Sequence, residues 1–197
     1  MDKLEKEMVT TLNQQKLKEN WVQKLTLTEK KIMPAKLLRD NILLIQKGML
    51  HIEIEVDKTS HIFAFLQSDD IVYPSYFNDS SRQMRVVIDS YTEIIAFNQE
   101  FFLNYATMKP IYMEWLSDKL DKNLSKFLYE STKPRRQDNI LTNLEYVNKV
   151  IQDELQQPNV EIFDLFSKRK LASYCHLSRS TFNSEIKNLQ ENNLIAE

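Results

Sequence analysis

The period of the apolar residues changes twice along this chain, and that change constrains the fold more than any other feature. Apolar side chains recur at helical spacing over residues 3–22 and again from 108 onward, but alternate between about 24 and 98. Alternation is plain in Leu50-His51-Ile52-Glu53-Ile54-Glu55-Val56 and in His61-Ile62-Phe63-Ala64-Phe65. Val86-Val87-Ile88 and Ile94-Ile95-Ala96-Phe97 are further β-rich runs. A period of two places successive side chains on opposite faces of a strand. Turn chemistry separates the runs at Arg39-Asp40-Asn41, Lys47-Gly48, Asp57-Lys58-Thr59, Ser68-Asp69-Asp70 and Asn78-Asp79-Ser80-Ser81. Several short strands at this spacing predict a β-sandwich or barrel rather than a parallel sheet. Gly48 is the single glycine, which excludes Gly-rich phosphate loops and leaves Asn, Asp and His to take strained turns.

The flanking segments read as helices. Residues 3–22 carry a loose stripe of Leu4, Met8, Leu12, Leu17 and Val22. Residues 108–131 form a long helix with Pro110 in its first turn. Met113, Leu116, Leu120, Leu124 and Phe127 lie on one side of it, with Asp118, Lys119, Asp121 and Lys122 opposite. That stripe packs either on the chain's own barrel or against a second copy as a short coiled coil. Lys133-Pro134-Arg135-Arg136 is polar, basic and broken by proline, as a hinge would be. The helix at 137–156 carries Ile140, Leu144, Val147, Val150, Ile151 and Leu155, and Val160-Glu161-Ile162-Phe163 reads as a short strand or loop.

Residues 167–195 read as a short helix, a tight turn and a second helix. Leu171, Ala172 and Cys175 are the first apolar set, Leu177 sits in the turn, and Phe182, Ile186 and Leu189 recur at helical spacing. Ser178 stands at the N-cap of the second helix. Lys168, Arg169 and Lys170 open the first helix, and Ser178-Arg179-Ser180-Thr181 supply short donors for phosphates and base edges. The pattern describes a helix-turn-helix whose second helix can enter a DNA major groove.

This segment resembles the helix-turn-helix of the cyclic-AMP-receptor and fumarate-nitrate-regulator (Crp/Fnr) superfamily of bacterial transcription factors. The Leu171-Ala172 pair, the Leu177-Ser178-Arg179 turn, the Thr181-Phe182 step and the closing Leu189…Asn193-Leu194-Ile195 fall at that family's spacing without a gap. The resemblance extends to residues 42–52, which look like paired strands turning about a family glycine, here Gly48, and to residues 65–72 before the ligand cassette. It implies an α+β chain: a cyclic-nucleotide-binding-like β-roll at 1–107, a dimerisation helix and hinge at 108–133, and a helix-turn-helix domain at 134–197. Double-stranded DNA and a second copy would be its partners, with RNA polymerase a further candidate. Met113, Leu116, Leu120, Leu124 and Phe127 would line the dimer interface. Arg179 would read guanine, and Asn183 adenine or a phosphate. Ser178, Thr181 and Lys187, with the 168–170 cluster, would position the helix on the backbone.

The departures bear on the effector and the target. The family's nucleotide cassette uses glycines, a glutamate and an arginine. Here Asp70-Ile71-Val72-Tyr73-Pro74-Ser75-Tyr76-Phe77 lacks the glycines and the glutamate, and Arg82 is the one candidate for the phosphate. Tyr73, Tyr76 and Phe77 are expected to fill the pocket, so cyclic AMP and cyclic GMP should not bind. An iron–sulfur cluster is excluded because the N-terminal cysteines are absent. In the second helix, Ser180 and Ser184 stand where an acidic residue and an arginine are usual, so the family's standard half-site should not be read in the usual way. His176 occupies a turn position that usually prefers glycine. The two-stranded wing that normally follows is expected to be truncated or absent.

Net charge of −2 means that basic residues must gather on one face to attract phosphates. No apolar run reaches the ~20 residues of a membrane span, and the N-terminus lacks the apolar core of a secretory signal. These features suit a soluble cytoplasmic protein. Cys175, the single cysteine, reads as a small buried hydrophobe or as a redox switch activated by the neighbouring cations. His51 and His61 fall in alternating strands and read as surface or hydrogen-bonded side chains. No cofactor, metal spacing, paired carboxylates or nucleophile–base set is evident, so no enzyme is expected. The leading expectation is a homodimeric transcriptional regulator. The alternative is an interaction module with a vestigial helix-turn-helix that modulates a related regulator.

Overall fold

The computed structural model describes residues 2–56, 59–77, 84–134, 139–155, 162–192 and 194–195. The chain is α+β. Helix α1 (Lys3–Gln15) starts at a capping box in which Asp2 and Glu5 satisfy each other's backbone N–H groups. It stops earlier than its apolar stripe suggests. Leu17 is exposed, Glu19–Trp21 is a 3-10 turn, and Val22 opens strand β1 (Val22–Leu27), where it pairs with Phe97. A short α2 (Ala35–Asp40) follows, then β2 (Asn41–Lys47), β3 (Leu50–Val56), β4 (Thr59–Leu66), β5 (Ile71–Val72), β6 (Met84–Ile88) and β7 (Thr92–Asn98).

The strands form two antiparallel sheets, ordered β1-β7-β2-β5 and β4-β3-β6. Their inner faces make the roll's interior, with Leu43, Ile45, Leu50, Ile52, Leu66, Val86 and Ile94 among its residues. Both outer faces are partly covered by helices. Behind the first sheet, Ile42, Leu44, Ile95 and Phe97 pack on α1, on α3 (Gln99–Met108) and on α4 (Pro110–Thr132). Burial on both faces explains why β2 reads as the unbroken apolar run Ile42-Leu43-Leu44-Ile45 rather than alternating. Behind the second sheet, Ile62 and Phe65 join one apolar cluster with the C-terminal helices: α5 (Ile140–Leu155), α6 (Ile162–Leu165), α7 (Lys168–Tyr174) and α8 (Arg179–Glu191).

Gly48 joins β2 to β3 at φ 96°, and a Cβ there would run into Tyr91 O and Thr92. Asp69 and His176 also take left-handed backbone, at φ 77° and 55°. Pro110 occupies the first turn of α4. Ile162 and Phe163 belong to a helical turn, not a strand. The turn residues 57, 58 and 78–81, the hinge residues Arg135 and Arg136, and Arg82, Val160, Glu161 and Asn193 lie outside the described residues. No helix among the described residues is long and apolar enough to cross a membrane.

Candidate nucleic-acid interface

The helix-turn-helix is assembled by local hydrogen bonding. Ser167 caps α7. At its end, Leu177 N–H donates to Ala172 O at 2.9 Å and His176 N–H to Ser173 O at 3.1 Å, the paired bonds of a Schellman ending. His176 supplies the left-handed residue that ending requires. Ser178 Oγ then accepts from Thr181 N–H at 3.1 Å and starts α8. Leu171, Ala172, Tyr174 and Cys175 from the first helix bury against Phe182 and Ile186 from the second. Cys175 is fully buried, as a small hydrophobe would be.

The opposite face of α8 is open. Arg179, Ser180, Asn183, Ser184 and Lys187 are exposed, and Thr181 is half-buried. The Ser178 hydroxyl is also 2.8 Å from both Ser180 Oγ and Thr181 Oγ1, so its main work is to fix the helix start. Lys187 lies 3.5 Å from Glu191, an exposed i,i+4 pair worth little that leaves the amine available. Lys168 and Arg169 are exposed and Lys170 half-buried. Arg169, Lys170 and Arg179 share a cleft of about 780 Å³ with Glu53, Glu55, Ser60 and Arg85 of the second sheet. The cations thus gather locally, as the near-neutral total charge requires, but the wall they face carries Glu55 and Glu53, the latter paired with Arg85 at 2.6 Å.

The stripe on α4 divides. Met113 and Leu124 are 41% and 55% exposed, and Leu128, which the spacing did not single out, is 57% exposed. Leu120 is half-buried against the core behind the first sheet. Leu116 is 3% exposed in that core, and Phe127 packs on Phe63 and Tyr76 with ring centroids 5.6 Å away in each case. Leu116 and Phe127 therefore serve the chain's own roll. The buried and exposed positions of the stripe share one helical period, so spacing alone does not separate them.

The cassette region is aromatic. Pro74–Phe77 is a 3-10 turn, Tyr73 stands edge-on to Tyr76 at 6.1 Å, and Phe77 packs toward the roll interior. Helix α4 is tied to this end of the roll by Lys119 and Lys122 on Asp69, by Lys126 on Asp70, and by Asn123 Nδ2 donating to Ile71 O. Lys119 also meets the buried Glu5 at 2.8 Å, which accepts from Trp115 Nε1 at 3.2 Å. The Asp69 carboxyl sits below its ordinary range: burial opposes ionisation, but the two lysines outweigh it.

Two groups stand at the seam between roll and C-terminal helices: His51, which the sequence left as a surface or hydrogen-bonded side chain, and Glu154, which it did not single out. His51 is wholly buried between Asp89 and Glu53, its ring edge-on to Phe65 and Phe166. Glu154, on α5, reaches the turns of the roll at Gly48 and Ser68. His61 is 3.3 Å from Ser173 Oγ, which donates to Ser60 O at 2.9 Å.

A β-roll, a long helix along it and a helix-turn-helix beyond make the fold of the Crp/Fnr regulators, and the chain has that fold. It is similar over its length to a cyclic nucleotide-binding domain containing protein from Listeria monocytogenes, with TM-score 0.69, 19% identity and coverage of 97% of this chain and 92% of that one. A putative transcriptional regulator of the Crp/Fnr family from Eubacterium rectale superposes with TM-score 0.67 at 9% identity, covering 100% and 87%. The c-di-GMP responsive global regulator CLP of Xanthomonas campestris gives TM-score 0.64 at 15% identity, covering 97% and 95%. No family model matches the sequence. No curated protein matches it significantly.

Proposed function

We propose that this chain is a sequence-specific DNA-binding transcriptional regulator that acts as a homodimer in the cytoplasm and is not controlled by cyclic nucleotides. The observation that carries the reading is the two-sidedness of α8. Phe182 and Ile186 anchor one side, while Arg179, Ser180, Asn183, Ser184 and Lys187 present guanidinium, hydroxyl, amide and amine groups to solvent on the other. Those are the groups that read base edges and phosphates. The likeness to solved regulators supports the reading at the level of fold.

In this reading 134–197 is the DNA-binding domain, 108–133 the dimerisation helix and hinge, and 1–107 the roll. Met113, Leu120, Leu124 and Leu128 form the two-fold contact. RNA polymerase is a further partner, and no catalysis is assigned. Phe77, packed toward the roll interior, supports the exclusion of cyclic nucleotides, whereas Tyr73 turns to the core behind the first sheet and does not fill the pocket.

The test is selection of bound duplexes from a random pool at two salt concentrations. The reading predicts an enriched two-fold symmetric sequence with half-sites about one helical turn apart. The placement of Glu53 and Glu55 facing the basic cleft favours a second reading, an interaction module that no longer reads DNA and modulates a related regulator. That reading takes over if no sequence is enriched and Arg179→Ala changes nothing.

A further inference from the structure

Two turns meet at one end of the roll. Ser68, between β4 and β5, lies with its Oγ 3.1 Å from Gln46 O, beside the β2–β3 turn that holds Gly48. Three donors of these turns converge on one carboxylate. Gly48 N–H donates to Glu154 Oε1 at 2.7 Å, Ser68 N–H to Glu154 Oε2 at 2.9 Å, and the Ser68 hydroxyl to Oε1. Backbone N–H groups aimed at a common point, with a hydroxyl beside them, make an oxyanion nest. The donors belong to the roll and the acceptor arrives from α5. Gly48 takes φ 96° in the β2–β3 turn, where Tyr91 and Thr92 leave no room for a Cβ, so only glycine presents its N–H here in this way. The acidic neighbours Asp69 and Asp70 are already matched by Lys119, Lys122 and Lys126.

We propose that Gly48 N, Ser68 N and Ser68 Oγ form an oxyanion-binding site that Glu154 occupies as a built-in ligand, and that a small carboxylate or phosphate taking its place loosens α5–α8 from the roll. Ser68 is suited to either state. Its one hydroxyl proton turns to Glu154 when the carboxylate is present and to Gln46 O when it is gone. Without Glu154 the seam keeps the Ser173–Ser60 bond and the packing of Phe65 on Phe166 and Tyr174, at 5.4 and 5.3 Å. The helices therefore shift rather than detach. The consequence for DNA affinity rests on the regulator reading, because the shift carries Arg179 relative to Glu53 and Glu55; the site itself does not.

The experiment uses no DNA, so its failure is separate from failure of that reading. Gly48 is the chain's one glycine, so glycine labelled with nitrogen-15 gives a single amide resonance from the site. In the wild-type chain, donation to a carboxylate holds that proton downfield. Glu154→Ala and the closer Glu154→Gln should move it upfield and speed hydrogen exchange in α5. Sodium acetate or inorganic phosphate, titrated against chloride at equal ionic strength, should return the Glu154→Ala resonance downfield with saturation. The wild-type chain, whose site Glu154 already fills, should need more of either anion than Glu154→Ala does, because the tethered carboxylate competes. The anion with the lower half-saturation distinguishes a carboxylate site from a phosphate site. Should Glu154→Ala fail to fold, Glu154→Gln and Ser68→Ala carry the test, each displacing the Gly48 resonance upfield. The proposal is overturned if the variants leave that resonance in its wild-type position, or if acetate and phosphate do no more than chloride.

Discussion

Both carboxylate oxygens of Asp89 lie 2.7 Å from Nδ1 of His51, whose ring is wholly removed from solvent. On the other side, Nε2 is 2.9 Å from Glu53, which is held in turn by Arg85 Nε at 2.6 Å and Ser60 Oγ at 2.8 Å. An imidazole with an acceptor at each nitrogen is held as a double donor. This ion cluster lies directly under the contact between roll and C-terminal helices.

Its pH dependence follows. Burial alone would strip the proton from His51, but the charge of Asp89 and the hydrogen bonds from Asp89 and Glu53 outweigh it, so His51 titrates above 6.5. Glu53 is held well below the usual 4.5, first by its bond to His51, against burial and with help from Ser60 and Arg85. A raised histidine stabilises fully below its unfolded value and loses that contribution as pH rises through the folded one. A lowered carboxylate contributes above its unfolded value and loses it as pH falls toward the folded one. Urea unfolding across a pH series should therefore show stability falling on the alkaline side of 6.5 and, through Glu53, on the acid side of 4.5, a loss partly offset by Asp89, whose carboxyl is pushed up from 3.8 by burial. His51→Gln should flatten the alkaline limb and cost about 3–5 kcal/mol, because it leaves the buried Asp89 without its cation while Glu53 keeps Arg85.

On the regulator reading, Arg179→Ala should cost ~1–3 kcal/mol on the selected duplex and relax one base position, as loss of a bidentate guanine contact would. Lys168→Ala should weaken all sequences alike and reduce the salt slope by about one unit. Fluorescence anisotropy on matched and mismatched duplexes at two salt concentrations separates the two effects.

Leu124 and Leu116 lie on the same helix and should behave oppositely. Leu124 is exposed, so Leu124→Glu should leave the fold intact and yield monomers in sedimentation. Leu116 is buried in the chain's own core, so Leu116→Ala should cost about 2–5 kcal/mol in chemical unfolding and, on the homodimer reading, leave the sedimentation behaviour unchanged.

Gly48→Ala forces a side chain into a left-handed residue already crowded by Tyr91 and Thr92. A loss of about 1–3 kcal/mol or more is expected in denaturant titration.

Calorimetric titration with cyclic AMP or cyclic GMP should release no heat. Micromolar binding would overturn the exclusion.

Local chemistry was legible in the sequence, and long-range partnership was not. Ser178 as a cap, His176 as the left-handed turn residue, Gly48 as a turn and Pro110 as a helix start each follow from a residue type next to a periodic run. The alternating strands likewise announced antiparallel sheets of a sandwich or barrel kind, and the resemblance narrowed this to a roll. The His51 cluster was hidden because its partners come from β3 and from the loop before β7, and alternation marks His51 only as outward from the roll, without saying that helices cover that face. The reach of Glu154 to Ser68 spans 86 positions and leaves no periodic trace. The early end of α1 was missed because Val22 continues a helical stripe by chance while its backbone is claimed by β7.

Phe65 belongs to the roll by sequence and to the C-terminal helices by packing. The two halves are consequently not interchangeable parts. Grafting α5–α8 onto another roll would bare Phe166 and Tyr174 unless an aromatic of matching shape waited on the recipient's outer sheet, so divergence on either side of the seam has to be answered by the other.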